Sequence, residues 1–181
     1  MSYPVVEGRN TGSRAISTTS HPINLPTNIQ VGELLLVYIG FRGGLPNSYI
    51  SVSSGWDKAL FTTYTPDVSG IVAKKIATGS DDLTVTTSVE ARSAHVSFRI
   101  SGAKEEIFTA VDSGTSTTIT PPNLDTGATK KYLWIAGGSK VNDVSLTPPA
   151  NYSNHQEVIV SSYLSSHTVE RELETDAEDP G

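Results

Sequence analysis

The chain has no cysteine among its 181 residues. This absence excludes disulfides, thiolate metal sites and cysteine nucleophiles together, so apolar burial and hydrogen bonding must hold the fold. Cations are few as well: 13 Lys and Arg stand against 19 Asp and Glu, and the net charge is −6. The Lys and Arg residues are scattered along the chain, whereas nucleic-acid binding depends on clustered cations. We therefore expect no nucleic-acid partner.

Long apolar segments are also missing. The longest apolar run covers residues 34–39 and is far too short to span a bilayer. The first six residues, Met-Ser-Tyr-Pro-Val-Val, lack the basic and apolar regions of a secretory signal. The sequence thus predicts a soluble protein without a membrane partner.

The residues that are abundant favour β-structure. Ser and Thr make up about a quarter of the chain, and Thr, Val, Ile and Tyr favour strands. No sustained helical stripe of apolar residues occurs. Short apolar or alternating segments separated by turn residues predict strands at 15–25, 34–41, 70–77, 83–89, 94–100, 108–111, 115–120, 132–136, 144–146, 157–164 and 168–173. We predict an all-β fold, an antiparallel sandwich of eight to ten strands that is jelly-roll-like.

The second half of the sequence resembles the first. The segment 23–40 has a counterpart in 119–137, the triplet Ser-Gly-Trp56 in Ala-Asn-Tyr152, and the run 71–76 in 158–164. A repeat of this length predicts two pseudo-repeated half-domains, about 15–103 and 113–181, that share one core. Residues 1–14 are predicted to form an N-terminal arm or a first edge strand, and 15–181 a single sandwich domain.

The repeat also predicts an unpaired edge. The strand at 94–100 has no counterpart in the second unit, because the sequence ends at Asp-Pro-Gly181. Two explanations stay open at this point. Either the second unit is shortened, or a partner supplies the strand by adding it to the open edge.

No motif indicates catalysis. The four histidines, His21, His95, His155 and His167, are far apart in sequence and match no metal-ligand spacing. No Gly-x-Ser-x-Gly nucleophile elbow and no calcium loop occur. A cation site built from Asp57, Asp67 and Asp143 has no motif in its favour. We therefore expect a non-enzymatic protein that needs no cofactor and no metal.

An acidic strip is the most unusual local pattern. Carboxylates recur at every second position as Glu170, Glu172, Glu174 and Asp176. Because side chains alternate along a strand, this period places the four groups on one face. Two interpretations stay open: a solvated edge strand, or an interaction edge that meets a basic patch on a neighbouring subunit.

Two aromatic residues occupy matching places in the two predicted units. Trp56 and Tyr152 each follow a turn, where an aromatic face could stack on a sugar ring. A position that is duplicated with the fold is explained more simply as a core anchor. We therefore expect both to be core residues first, and a site for a host glycan second.

Several segments together resemble a known group of proteins. They are Val-Gly-Glu-Leu-Leu-Leu-Val-Tyr-Ile39, Ser-Gly-Trp56, Ile-Val-Ala-Lys-Lys-Ile-Ala-Thr-Gly79 and Val-Ser-Phe-Arg-Ile-Ser-Gly-Ala103. With this pattern the chain, from about Val5 onward, resembles a diffuse group of tailed-bacteriophage and prophage virion proteins. The resemblance carries no catalytic residue.

The resemblance implies a function without enzymatic activity. It points to a β-sandwich subunit that decorates the capsid lattice, or to a head-fibre or tail-associated component. The partners would be capsid or tail proteins of the same virion and further copies of the chain, and the protein would reside in the virion after assembly in the host cytoplasm. The alternative is a carbohydrate-binding or adhesin module that uses the loop aromatics.

Overall fold

The computed structural model describes residues 2–64, 66–104, 107–111, 117–142 and 144–178. These ranges contain nine strands and one 3-10 turn at Asn47–Tyr49. The strands are β1 (Val5–Pro22), β2 (Leu34–Arg42), β3 (Ile50–Val52), β4 (Asp57–Tyr64), β5 (Val68–Ile76), β6 (Thr84–Ser101), β7 (Leu124–Val141), β8 (Ser153–Val160) and β9 (Leu164–Glu178). The fold is an all-β antiparallel sandwich, as the composition predicts.

Two sheets make up the sandwich. The large sheet has the strand order β1-β6-β2-β5-β4, with β3 paired to β6. The small sheet has the order β7-β9-β8. The chain thus completes the large sheet before it begins the small one.

Strand β2 is the centre of the large sheet. It pairs with β5 on one side and with β6 on the other, and Leu35, Val37, Ile39 and Phe41 are fully buried on one of its faces. A continuous apolar run suits a strand that is covered on both faces. The prediction of a strand at 34–41 is confirmed.

The large sheet curls over one of its own faces. Strands β1 and β6 are both 18 residues long, and the β1–β6 register shifts between Arg14 and Thr18 and again between Thr18 and Ser20. Such bulges bend a strand and increase its twist. The bend brings the first half of β6, with Val85, and strand β3, with Ile50, over β2 to form the larger core.

The small sheet covers the other face of β2. Phe98 and Ile100 of β6 pack there against Leu133 and Ile135 of β7. A chain of hydroxyls continues this contact: the Tyr38 hydroxyl donates to Ser139 Oγ at 3.0 Å, and Ser139 Oγ lies 2.7 Å from Ser166 Oγ. Burial raises the pKa of Tyr38 to about 12, so the hydroxyl keeps its proton.

Several sequence predictions need correction. Of the two alternatives for the N-terminal residues, the structure agrees with the edge strand, because residues 5–14 form the first part of β1 and pair with β6. The predicted strands 83–89 and 94–100 are one strand, because pairing with β1 and β2 outweighs the local turn signal between them. Residues 108–111 and 144–146 are not in strands. Of the predicted strand 115–120, residues 115–116 lie outside the described residues and 117–120 form no strand beyond an isolated bridge at Thr118.

The structure does not confirm the internal repeat. The run 71–76 lies within β5, whereas its counterpart 158–164 contains the end of β8, a turn and the first residue of β9. Strand β2 is central in its sheet, whereas its counterpart β7 is at an edge.

Within the described ranges the single helical segment is the turn at Asn47–Tyr49, so no helix there could cross a membrane.

Candidate interaction surfaces

The acidic strip divides into a buried part and an exposed part. Glu172, Glu174 and Asp176 are exposed, as the alternation predicts. Glu170 is only 4% exposed, and its carboxylate binds the Arg9 guanidinium of the large sheet at 2.5 Å. Glu170 therefore joins the two sheets and is not available on the surface.

Strand β9 is an edge over only half of its length. Up to Glu170 it lies between β7 and β8, whereas residues 171–178 pair, among the described residues, with β7 alone. The exposed carboxylates belong to this second half. The predicted interaction edge is thus reduced to Glu172, Glu174 and Asp176 in the second half of β9. The first half of β9 is the central strand of the small sheet.

Side chains of β9 and of the loop before β8 meet at the end of β9. Arg171 donates to Glu178 at 2.5 Å, and the Tyr152 hydroxyl donates to the same carboxylate oxygen at 3.4 Å. Burial and the nearby Glu178 charge raise the pKa of Tyr152. Tyr152 is half-buried and packs against a small core formed by Ala136, Val169 and residues of the flanking loops.

Trp56 belongs to the larger core. Its side chain is 6% exposed, and its indole N–H donates to the Asp82 carbonyl at 2.8 Å. A buried indole with its one donor satisfied is a core anchor and presents no face to a sugar ring. The structure thus brings Trp56 and Tyr152 into separate cores and not into one site.

Two histidine pairs form that the sequence spacing does not suggest. His155 Nε2 lies 3.1 Å from His167 Nδ1, because the β8–β9 hairpin turns at residues 161–163. That turn is the signal that could have revealed the pair. His21 and His95 lie near enough for their charges to interact, and burial lowers the pKa of each to about 4.

These histidines are structural in their contacts. His21 bonds to Ser93 Oγ and Thr87 Oγ1, while His95 Nε2 accepts the Asn24 amide hydrogen at 3.0 Å. No group of three or more His, Asp or Glu side chains in the described part of the chain is placed to hold a metal ion.

The sequence raised a cation site built from Asp57, Asp67 and Asp143. The two of these residues that the structure describes do not come together. Asp57 begins β4, whereas Asp67 follows the far end of the same strand and pairs with Arg42. An eight-residue strand separates them by roughly 25 Å. Asp143 lies outside the described residues.

The two sheets are offset, which leaves one side of the sandwich open. Strand β8 packs on β1 and β6, β9 on β6 and β2, and β7 on β2 and β5. No comparable packing of β4 on the small sheet occurs within the described residues. The small sheet is therefore one strand too narrow to cover the large one.

A cleft of about 800 Å³ lies at this open side. Its floor is the uncovered face of the large sheet, including Leu36, Leu60, Thr62 and Val72. One wall is β7, where every residue from 129 to 139 lines the cleft, and residues 107–111 and 119–122 of the β6–β7 connection line it as well. Among the described residues, both β7 and the second half of β9 have an unpaired edge, and the cleft lies along the edge of β7. Sequence reasoning did not reveal this cleft, since sheet offset depends on packing between distant segments.

Comparison with known proteins adds no identification. No protein-family model matches the chain, and no curated protein or solved structure is significantly similar to it.

Proposed function

We propose that the chain is a non-enzymatic structural subunit of a tailed-phage virion, with capsid decoration as its principal role. A head-fibre or tail position is the alternative within the same proposal. The sequence resemblance suggests the kind of particle. The observation that carries the proposal is the open side, where the offset sheets expose an apolar cleft beside a strand edge that no described strand pairs with.

A large sandwich with an uncovered apolar side is suited to assembly. Contiguous exposed apolar surface is uncommon on monomeric soluble proteins and marks contact sites. Here the exposed surface is continuous with the core between the sheets, because Leu36 and Ile135 belong to both. A neighbouring subunit that covers this side would extend the core without rearranging the fold.

The test is the copy number of this chain in purified particles from the source culture, measured by quantitative mass spectrometry against the major shell protein. A ratio close to that of the shell protein is expected for decoration. A handful of copies per particle would assign the chain to a fibre or tail. Absence from the particles would refute the virion proposal.

A further inference from the structure

We infer that the cleft at the open side accepts an extended peptide strand from a partner protein, which pairs with the free edge of β7. The strand would carry apolar side chains at alternate positions and carboxylates at one end. This inference deepens the proposed function, because it names the surface and the chemistry by which an assembly partner would bind. It rests on that proposal only for the origin of the partner.

The lining of β7 shows which part of the strand faces the cleft. Side chains of successive residues point to opposite faces of a sheet, so a wall made of one face would contain every second residue. Instead the whole run from 129 to 139 lines the cleft. The cleft therefore runs along the backbone edge of β7, where no strand of the described residues pairs.

The offset of the sheets gives room for one strand. Neighbouring strands lie about 4.8 Å apart in a sheet, and stacked sheets about 10 Å apart. A strand added beside β7 would therefore lie over β5 and β4. Its inward side chains would meet Leu60 and Val72, which the small sheet leaves partly exposed.

Polar groups in the cleft favour a peptide over an apolar small molecule. A hydrocarbon ligand would cover the edge of β7 and leave its backbone N–H and C=O groups without partners, which is costly. A peptide backbone can satisfy such groups.

The charges at one end of the cleft indicate where the carboxylates of the strand would lie. Lys104, Lys130 and Lys131 line the cleft, are exposed, and form no salt bridge within the described residues. Lys131 lies 5.3 Å from the Tyr3 ring, and Tyr3 borders Gly102 near Lys104. The carboxylates of Glu174 and Glu178 also line the cleft. Glu178 is paired with Arg171, and Glu174 is opposite Lys131 in the β7–β9 register, so three lysines stand against one carboxylate without a salt bridge among the described residues.

The test uses the full chain and two nine-residue peptides of alternating valine and threonine, one with two glutamates at its N-terminus and one with them at its C-terminus. Binding is followed by isothermal calorimetry, and hydrogen exchange of the β7 amides is measured with and without peptide. We expect one of the two peptides to bind and to slow exchange across residues 130–139. The same peptide with alternate amides N-methylated should lose at least tenfold in affinity, since it keeps the side chains but not the donors.

Matched variants locate the site. Thr62→Lys places a long cation in the cleft from edge strand β4, whereas Thr63→Lys changes the adjacent residue, which does not line the cleft. We expect Thr62→Lys to weaken binding at least tenfold and Thr63→Lys to leave it unchanged, with equal urea midpoints for both variants. The inference fails if neither peptide binds, or if N-methylation or Thr62→Lys leaves the affinity unchanged.

Two other occupants are distinguished in the same experiments. Binding of oleate that slows β7 exchange while both peptides fail would assign the cleft to an acyl ligand and overturn the inference. A dimer of the protein alone that Thr62→Lys abolishes in sedimentation would assign the cleft to a second copy, and would also overturn it. Failure of these tests leaves the copy-number result untouched, so the two proposals can fail separately.

Discussion

Glu170 brings a carboxylate into the contact between the two sheets. Removing such a charge from water is costly unless a partner and further hydrogen bonds compensate. Arg9 supplies two donors to this carboxylate, and Asn154 Nδ2 donates to it at 3.1 Å. The group is thereby satisfied, and it fixes how the small sheet sits on β1.

We expect Arg9→Met to lower the free energy of unfolding by about 3 kcal/mol, because it leaves the Glu170 carboxylate buried without its cation. The double variant Arg9→Met/Glu170→Met should lose less than the single variant, since it removes both charges. Urea unfolding at pH 7 measures both. Equal losses in the single and double variants would show that the ion pair is not what the substitution disrupts.

The buried histidines make stability depend on pH. Burial, with the nearby Arg14 charge, lowers the folded-state pKa of His21 and His95 to about 4, below the ordinary value of 6.5. Between these values the unfolded chain binds protons that the folded chain does not. Stability is therefore fully present above about pH 6.5 and falls as the pH drops toward 4, with a slope of about 1.4 kcal/mol per pH unit for each histidine.

The measurement is the free energy of unfolding in urea at pH 7, 6 and 5. The double variant His21→Gln/His95→Gln should show a shallower decline than the wild type, whatever its stability at pH 7. Parallel pH curves for the two proteins would contradict the assignment of the effect to this pair.

At the scale of elements, the two sheets approach each other closely at Gly40 of β2. A Cβ at this position would overlap Ser139 Oγ and lie 2.8 Å from Ser139 Cβ and from Ser166 Oγ. A side chain at position 40 therefore cannot be accommodated without moving β7 and β9. This contact fixes the spacing of the sheets at the hydroxyl chain that begins at Tyr38.

We expect Gly40→Ala to destabilise the protein by about 1–3 kcal/mol, the usual cost of overpacking. Ser139→Gly in the same chain should restore part of the loss, because it removes the side chain that the new methyl group meets. Gly138→Ala is a control on β7, next to Ser139, where a Cβ would meet nothing closer than 3.4 Å. A loss that Ser139→Gly does not reduce would contradict this account of the contact.

What the sequence could predict was local. The apolar run between glycines gives the position of β2, and alternation gives the exposure of Glu172, Glu174 and Asp176. The burial of Glu170 was not predictable, because its partner Arg9 lies 161 residues away in the chain. The offset of the sheets was hidden for the same reason, since it results from packing between segments that no local pattern links.

At the scale of the whole molecule, the exposed end of the acidic strip is open to test without harming the fold. The triple variant Glu172→Gln/Glu174→Gln/Asp176→Asn removes three of the negative charges and should change stability by less than about 0.5 kcal/mol, as exposed substitutions usually do. If these groups meet a basic patch on a neighbouring subunit, binding to particles should weaken and lose much of its salt dependence. Co-sedimentation with purified particles at two salt concentrations measures this; unchanged binding would leave the strip a solvated surface.

Deleting the C-terminal residues would not be a clean test of the same idea. Residues 164–170 form the centre of the small sheet and the following residues pair with β7, so truncation removes part of the fold itself. Neutralising the exposed carboxylates changes the charge of the surface and leaves the strand pairing in place.

The central claim is that the cleft at the open side contacts another protein of the particle. Photo-crosslinking tests this claim most directly. In chains expressed in the source culture, a benzophenone amino acid would replace either Thr62, which lines the cleft, or Thr63, which does not. The particles would then be purified, irradiated and analysed by mass spectrometry. The account predicts a crosslink from position 62 to a segment of another virion protein, and little or none from position 63. Equal crosslinking from both positions, or none from position 62 in particles that contain the chain, would contradict it.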